Sequence, residues 1–263
     1  MRARFLVLGS PGGGTNPRVA GAWMVLLLLL LSAACVTVLG SSAALTRGGW
    51  ESVWAYRGVL LRGWMLTILL SVLAFVLSLL IGLLAALLRG SRVIPLRMGA
   101  ILYVELIRGT PLLAQILFLY YAVAGTIGLQ DRLAAGVLIL SLFAGAYLGE
   151  IIRAGIASVP ATQIDSARAV GFTPWQTHRF VILPQALRVI LPPLAGQFAS
   201  LIKDSSLLSV IGIGEFTLAA QQVNSATYRT LESYLPLAVG YLALTLPVSL
   251  LARHLERRLH PGD

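Results

Sequence analysis

The chain has 263 residues, of which 57% are hydrophobic and only 11% are charged, and its mean hydropathy is +0.85. These values exclude an ordinary soluble globular enzyme, because too little polar surface is available to cover a water-exposed fold. The net charge of +10 does not indicate a nucleic-acid-binding protein, since the arginines lie at the ends of apolar runs rather than among aromatic residues on one polar face. We expect an all-α integral membrane protein.

The first eighteen residues are basic and rich in glycine, and we expect residues 1–18 to form a flexible leader. Their string SPGGGTNP is only superficially like a phosphate-binding loop, since no Gly-Lys-Ser or Gly-Lys-Thr follows it. Lys203 is the only lysine of the sequence. A Walker A motif is therefore absent, and this chain cannot by itself be an ATPase.

Apolar runs predict about six membrane-spanning helices, because roughly 20 apolar residues suffice to cross the hydrocarbon core. The first run could instead be a cleaved signal peptide with Cys35 as a lipidated residue, although its length favours a retained span. The predicted domains are an extra N-terminal span with an outer loop in residues 19–62 and a transmembrane domain in residues 63–258. The expected spans are residues 19–40, 63–88, 111–128, 133–152, 190–212 and 233–251.

The fourth predicted span is rich in small residues, which permit close contact between helices. Glu150 lies at its end, and two interpretations stay open: ordinary solvation at the interface, or a contact within the loop that follows. The small residues are Gly136, Ala144, Gly145, Ala146 and Gly149.

A polar segment precedes the third predicted span. Thr110 is the expected N-cap of that span and Pro111 its first helical residue. Glu105 and Arg108 are three residues apart, so they would face one another on a short interfacial helix. This pair is either a neutralised pair at the lipid headgroups or part of a gate or subunit contact.

Residues 150–184 form a polar, helix-prone stretch between two apolar segments, and we expect a folded cytoplasmic loop. Pro160 should end the incoming helix, because proline lacks the amide hydrogen that continues the hydrogen-bond ladder. A short helix then restarts, with Thr162 as its predicted N-cap and Asp165 in its first turn.

The same loop contains signals for a turn and a second helix. Gly171 is the predicted stop of the first short helix, and Thr173-Pro174 is predicted to open the next one with proline at the first helical position. We therefore expect a compact helix-turn-helix elbow that projects from the bilayer.

The spacing of this loop resembles a motif of ABC importer permeases, written as E-A-A, three residues, G, nine residues and I-x-L-P. Here Asp165-Ser166-Ala167 is followed after three residues by Gly171 and, after nine more, by Val181-Ile182-Leu183-Pro184. The departures are Asp for Glu, Ser for the first Ala, Val for Ile, and Thr162 where a related pattern has Gly. The resemblance implies that a separate ATPase subunit is contacted by Pro160, Asp165, Ser166, Ala167, Gly171, Leu183 and Pro184.

The fifth predicted span contains an intramembrane charge. A rise of about 1.5 Å per residue from Pro193 places Lys203 about 15 Å into a core about 30 Å thick. Charges at such depth face a partner or a watery path, so Lys203 and Asp204 belong either to a solute pathway or gate, or to a purely structural pairing. The candidate pathway or gate residues are Glu105, Arg108, Gln115, Lys203, Asp204, Ser205 and Ser206.

Two further strings resemble the polar amino acid branch of these permeases. One is Arg-Gly-Thr-Pro-Leu-Leu, which starts at Arg108, and the other is the Lys-x-x-Ser-Leu string, which starts at Lys203. The resemblance as a whole covers roughly Arg57 to Arg258. It implies that the solute is a polar amino acid.

The distribution of positive charge predicts the orientation in the membrane. Of the 20 lysines and arginines, 14 fall in the segments predicted to be cytoplasmic and five in the outer segments, with Lys203 inside a span. The positive-inside rule then places both termini and the elbow in the cytoplasm. The expected location is the bacterial plasma membrane, with several passes.

The expected function is that of the membrane-spanning permease subunit of an ABC importer for polar amino acids. By resemblance, its partners are an ABC ATPase subunit, which binds ATP and Mg, a second permease subunit in a homo- or heterodimer, an extracytoplasmic solute-binding protein, the amino acid and membrane lipid. No catalytic residue, metal site or cofactor is expected in this chain. The alternatives are a permease for another small solute such as an opine or short peptide, an intramembrane enzyme, and a non-transport scaffold.

Overall fold

The computed structural model describes residues 47–259, and every regular element in this range is helical. The backbone divides the chain into two units, Met1–Glu51 and Ser52–Asp263, and the second is described below. The helices are α1 (Arg47–Trp54), α2 (Arg57–Arg89), α3 (Ile94–Gly109), α4 (Leu112–Leu117), α5 (Arg132–Ala157), α6 (Ala161–Ala169), α7 (Pro174–Thr177), α8 (Leu183–Asp204), α9 (Phe216–Thr227) and α10 (Thr230–Leu259).

Three shorter helical segments extend these elements. The π-helical segment Phe118–Ala124 continues α4, and the π-helical segment His178–Ile182 joins α7 to α8. The 3₁₀ segment Ser205–Ile211 continues α8. π-helical segments are uncommon and occur often at functional sites.

Four helical stretches of the described chain are long and apolar enough to cross a membrane: Arg57–Arg89, Arg132–Ala157, Pro174–Ile211 and Thr230–Leu259. A fifth is formed if α3 and Leu112–Ala124 count as one broken span, bent by 112°. The prediction of an all-α multi-span protein is confirmed. The leader in residues 1–18 and the first predicted span in residues 19–40 lie outside the described residues, so the expected total of about six remains a prediction.

Helices α2 and α5 are packed so closely that glycine is required at their contact. A Cβ added to Gly82 would lie 2.7 Å from the Cβ of Leu148 and 2.9 Å from the backbone nitrogen of Gly149. A Cβ on Gly145 would lie 2.7 Å from Cγ2 of Ile81. Real side chains do not approach this closely, so the close contact predicted from the small residues of the fourth span is confirmed.

Two apolar clusters position the rest of the fold around this pair. The larger one joins α2, α4, α5 and α8 through fully buried side chains that include Leu70, Ile116, Leu140 and Leu201. The second cluster lies at the end of α5 that leads into the loop, where it holds the loop against α2 and α8. Its buried members are Ala86, Ile152, Val159, Ile182, Ala186 and Ile190.

The polar segment after α8 contains helix α9. Its N-cap is Glu215, whose fully buried carboxylate accepts hydrogen bonds from the backbone N–H groups of Thr217 and Leu218 at 2.8 and 2.9 Å. The Tyr241 hydroxyl of α10 donates to the same carboxylate at 2.9 Å. One carboxylate therefore caps α9 and attaches it to α10.

The predicted start of the third span is wrong by one position. Pro111, not Thr110, is the N-cap of α4, and Leu112 is the first helical residue. Thr110 is instead the extended C-cap of α3, and its hydroxyl donates to the Leu106 carbonyl at 2.8 Å. The reason is that the extended backbone of Pro111 already begins α4, so Thr110 remains at the end of α3.

We predict that Gly82→Val destabilises the protein by about 1–3 kcal/mol, because the added atoms overlap α5 backbone that has no room to move. Thermal unfolding of the detergent-purified protein measures the effect. Gly99→Val is the matched control, since Gly99 is also in a helix and has open space around its Cβ position. Equal melting temperatures for the two variants would contradict the described contact.

Candidate functional site

The loop of residues 150–184 is called the elbow here. It contains the end of α5, helices α6 and α7 and the π-helical segment that leads into α8. Helix α5 ends at Ala157, three residues before Pro160, as the proline predicted. The elbow is thus a folded helix-turn-helix unit that is continuous with two membrane-spanning helices.

Two details of the first short helix were predicted wrongly. Pro160 is the N-cap of α6 and Ala161 its first residue, so Thr162 lies inside the helix. Asp165 consequently falls in the second turn, where it pairs with Arg168 at 3.4 Å. The extended backbone of Pro160 starts the helix without a side-chain acceptor, which is why a capping threonine is not needed.

Gly171 forms the turn between the two short helices, as predicted. Helix α6 ends at Ala169, and Gly171 has a φ of +85°. The N–H of Gly171 donates to the Arg168 carbonyl at 2.9 Å, and the N–H of Phe172 donates to the Ala167 carbonyl at 3.0 Å. Glycine at a left-handed position after a helix is the usual way to satisfy its last carbonyls.

The second short helix begins where the sequence predicted. The Thr173 hydroxyl accepts from the Gln176 N–H at 3.3 Å, and the Gln176 side-chain oxygen accepts from the Thr173 N–H at 2.8 Å. Pro174 is the first helical residue. This reciprocal capping box fixes the direction in which the chain leaves the turn.

The elbow is attached to α8 on one side and exposed on the other. Ala167 is buried, and the Gln185 amide donates to the Gln163 side-chain oxygen at 2.7 Å. In contrast, Asp165 and Ser166 are exposed, as are Val170 and Trp175, which are each 73% exposed. Leu183 and Pro184 are also exposed, at the start of α8. The predicted loop residues therefore divide between an anchored face and a free face.

Glu150 links three helices at the entrance of the elbow. Its carboxylate forms ion pairs with Arg89 at the end of α2 and with Arg153 one turn further along α5. Arg108 of α3 lies 4.0 Å from the same carboxylate, with its guanidinium 5.5 Å from the centre of the Tyr147 ring. The predicted contact within the loop is observed as the pair with Arg153, and two other helices contribute the further partners Arg89 and Arg108.

The predicted pairing of Glu105 with Arg108 is wrong. Both residues are exposed, and among residues 47–259 the ion pair of Arg108 is with Glu150. The i, i+3 spacing of Glu150 and Arg153 was visible in the sequence, whereas the contact with Arg89 joins positions 61 residues apart. Only the packing of α2 against α5 brings them together.

Gln115 lies buried at the bend between α3 and α4. Its amide nitrogen donates to the carbonyls of Ile107 and Thr110 at 2.7 and 3.1 Å and contacts the Thr110 hydroxyl at 2.7 Å. Its side-chain oxygen is buried without a hydrogen-bond partner. Gln115 thus stabilises the bend and leaves one unused acceptor in the protein interior.

The candidate residues at the end of α8 have different surroundings. Lys203 is exposed and Asp204 half-buried, and no ion pair joins them within residues 47–259. The Ser205 hydroxyl is buried and donates to the Ile202 carbonyl at 2.8 Å. The Ser206 carbonyl accepts from the Ser209 hydroxyl at 2.7 Å. Lys203 is therefore the group of this set that is most available to a partner or solute.

The family follows from comparison with known proteins. Residues 78–261 match the family of binding-protein-dependent transport system inner membrane components, which is well over half of the chain. The chain belongs to this family. The resemblance to ABC importer permeases that the elbow's spacing suggested is thereby confirmed, and the permease is a multi-pass inner membrane protein.

Individual relatives agree with this assignment. The permease is 37% identical over 212 residues to the glutamine transport system permease protein GlnP of Escherichia coli (strain K12), with 80% of this chain and 97% of that protein covered. It is 39% identical over 210 residues to the L-cystine transport system permease protein TcyB of Bacillus subtilis (strain 168), with 80% and 88% covered. It superimposes on a chain of a crystal structure of an amino acid ABC transporter with histidines, with a TM-score of 0.74, 38% identity, and 80% and 98% coverage.

We predict that Glu150→Gln lowers the stability of the permease by about 1–2 kcal/mol, because charged hydrogen bonds to Arg89 and Arg153 are lost and the half-buried Arg89 is left without its counter-charge. The measurement is thermal unfolding in detergent. Asp165→Asn is the matched control: it removes another carboxylate that pairs with an arginine three residues on, but this pair is 70% exposed and should contribute less than about 0.5 kcal/mol. A larger loss in the control would contradict the structural role of Glu150.

Proposed function

We propose that this permease forms the translocation path of an ATP-driven importer for a polar amino acid. The observation that carries the proposal is the 38% identity to an amino acid ABC transporter chain of which 98% is covered. Relatives named for glutamine and for cystine support the same class of solute. We therefore prefer amino acid import over import of an opine or a short peptide.

The elbow is proposed to dock on a separate ATPase subunit, which binds ATP and Mg. Its free face presents Asp165 and Ser166 beside Val170, a mixture of polar and apolar groups suited to a protein interface. Its other face packs in the cluster around Ile182 and Ala186. A displacement of the elbow would therefore move α5 and α8 with it. The permease itself carries no enzymatic activity in this proposal.

Glu150 also connects the start of the elbow to α2 and α3. Because its carboxylate holds Arg89 and Arg153 and lies 4.0 Å from Arg108, the ends of α2, α3 and α5 move together when the elbow moves. Rigid-body motion of helices around a fixed site is the usual form of alternating access.

A second permease subunit is proposed to complete the path. Lys203 is exposed on the single chain although it follows an apolar stretch of a predicted span. An ammonium group at membrane depth requires a counter-charge or water, so Lys203 faces either a second subunit across the path or the solute's carboxylate in it. Asp204, Gln115, Glu105, Arg108, Ser205 and Ser206 remain candidates for the same path.

We propose the orientation from the charge distribution and the domain boundaries from the positions of the apolar runs. With both termini and the elbow in the cytoplasm, α9 lies on the outer side, where an extracytoplasmic solute-binding protein would deliver the amino acid. Residues 1–18 then form a leader, residues 19–62 an additional span with an outer loop, and residues 63–258 the permease domain that contains the elbow. Cysteine-accessibility labelling of residues placed in the elbow and in α9 tests this arrangement.

We predict that Gly171→Ala leaves the permease inserted in the membrane but reduces solute-stimulated ATP hydrolysis of the complete importer at least about tenfold. A side chain at φ +85° costs about 1–2 kcal/mol and shifts the turn that orients α6. ATPase activity of the reconstituted complex, with and without solute and binding protein, is the measurement.

Gly99→Ala is the control for this experiment, because Gly99 also has open space at its Cβ position but an ordinary helical backbone. Copurification of the ATPase with each variant shows whether the complex assembles. If Gly171→Ala hydrolyses ATP with normal stimulation, the elbow is not the coupling element. If no ATPase copurifies with the unmodified permease from an intact membrane preparation, the importer proposal itself is wrong.

We also predict that Lys203→Met reduces amino acid uptake at least about tenfold while the complex still assembles, because a required counter-charge is lost. Uptake into proteoliposomes measures the effect. Lys203→Arg keeps the charge and should retain part of the uptake. Equal uptake by Lys203→Met and the unmodified importer would remove Lys203 from the path.

A further inference from the structure

An apolar groove lies on the membrane side of the elbow. It has a volume of about 390 Å³ and is bounded by α2, α5, α7, α8 and the π-helical segment between α7 and α8. Leu83 of α2, Ile156 of α5 and Leu187 of α8 form its walls, with Ala186 at its buried side. This volume is within the range of small-molecule sites in proteins.

The surface that lines the groove is almost entirely apolar. Two residues with polar side chains, His178 and Arg179, also border it, and both belong to the elbow. A polar amino acid does not fit such walls, because its charged groups would find no partners there. A ligand with a long apolar chain and a charged end does fit.

Arg179 is free to bind an anion. Within residues 47–259 its contact is with the ring of Phe180, 5.9 Å from the guanidinium carbon, and no carboxylate pairs with it. The Asp165 carboxylate of the elbow pairs with Arg168 and not with Arg179. A guanidinium group beside an apolar site is well suited to a phosphate, which it can bind with two hydrogen bonds.

The aromatic residues indicate the depth of the groove in the membrane. Trp175 borders the groove and is largely exposed, and Phe180, beside Arg179, is exposed as well. Aromatic side chains of this kind concentrate at the boundary between hydrocarbon and headgroups. With these aromatic residues at that boundary, the groove would face the hydrocarbon core and Arg179 would lie near the lipid phosphates.

We propose that the groove holds one acyl chain of an anionic phospholipid and that Arg179 binds the phosphate of the same lipid. The lipid would then be wedged between the elbow and the spans α2, α5 and α8. Because the π-helical segment His178–Ile182 contains Arg179 and connects α7 to α8, a bound lipid would hold the elbow in place against the bilayer. Lipid composition would thereby influence transport.

The experiment measures lipid retained by the full-length permease. The protein is incubated with an equimolar mixture of phosphatidylglycerol and phosphatidylcholine in detergent, and the bound lipid is counted by native mass spectrometry. We expect retention of one phosphatidylglycerol in preference to phosphatidylcholine. Arg179→Gln should lower that retention about fivefold, as expected for the loss of one cationic contact near the membrane surface. Arg188→Gln, an exposed arginine of α8 that does not border the groove, should retain the lipid.

A second pair of variants tests the acyl chain. Leu187→Trp places a large side chain in the groove and should reduce retention of both lipids, whereas Leu191→Trp should not, since Leu191 lies outside the groove. The two leucines are 42% and 40% exposed, so the cost of the substitution to folding is matched. Melting temperatures of all variants are compared.

Two outcomes would overturn the proposal. One is equal phosphatidylglycerol retention by Arg179→Gln and Arg188→Gln. The other is cross-linking of two copies through Leu187→Cys in a Cys35→Ser background, which would show that a second permease fills the groove. Lipid retention is measured without the ATPase or solute, so failure of the importer proposal would leave this result unaffected.

Discussion

The close packing of α2 against α5 is the constraint on which the rest of the structure depends. Gly82 and Gly145 let the two backbones approach so closely that an added Cβ would overlap the opposite helix. In a membrane, helices gain little from hydrophobic burial, so such close van der Waals contact is a main source of association. With the helices fixed at this distance, Arg89 reaches Glu150, and α3 is held beside them.

The elbow depends on the same pair for its position. Helix α5 runs directly into it, and the apolar cluster around Ile152 and Ile182 joins it to α8. Inside the elbow, the left-handed Gly171 and the capping box of Thr173 and Gln176 determine the angle between α6 and α7. Rigidity of this kind fits the proposed coupling role of the elbow, since a flexible loop would not transmit a displacement imposed by an ATPase. The proposed lipid beneath the elbow would act on the same connection.

Local signals in the sequence predicted the elements well and their exact ends less well. Pro160, Gly171 and Thr173-Pro174 indicated the elbow correctly because each acts on its own backbone or on the next few residues. Thr162 and Thr110 were misplaced as caps because a neighbouring proline with extended backbone already began each helix. The pairing of Glu105 with Arg108 was wrong for a different reason: a carboxylate from α5 competes for the same arginine.

Hydropathy, turn residues and motif spacing are properties of short stretches, so they sufficed to predict an apolar, all-helical membrane protein, the positions of most of its spans and its family. Which distant residues meet depends instead on how the helices pack. Three features depend on several helices at once: the Glu150 ion pairs, the buried environment of Gln115 and the groove bordered by Arg179. No pattern within a short stretch of sequence predicts how those helices pack. The small residues of α5 indicated a close contact from the sequence alone, but the sequence of one helix does not show that α2 is the helix it contacts.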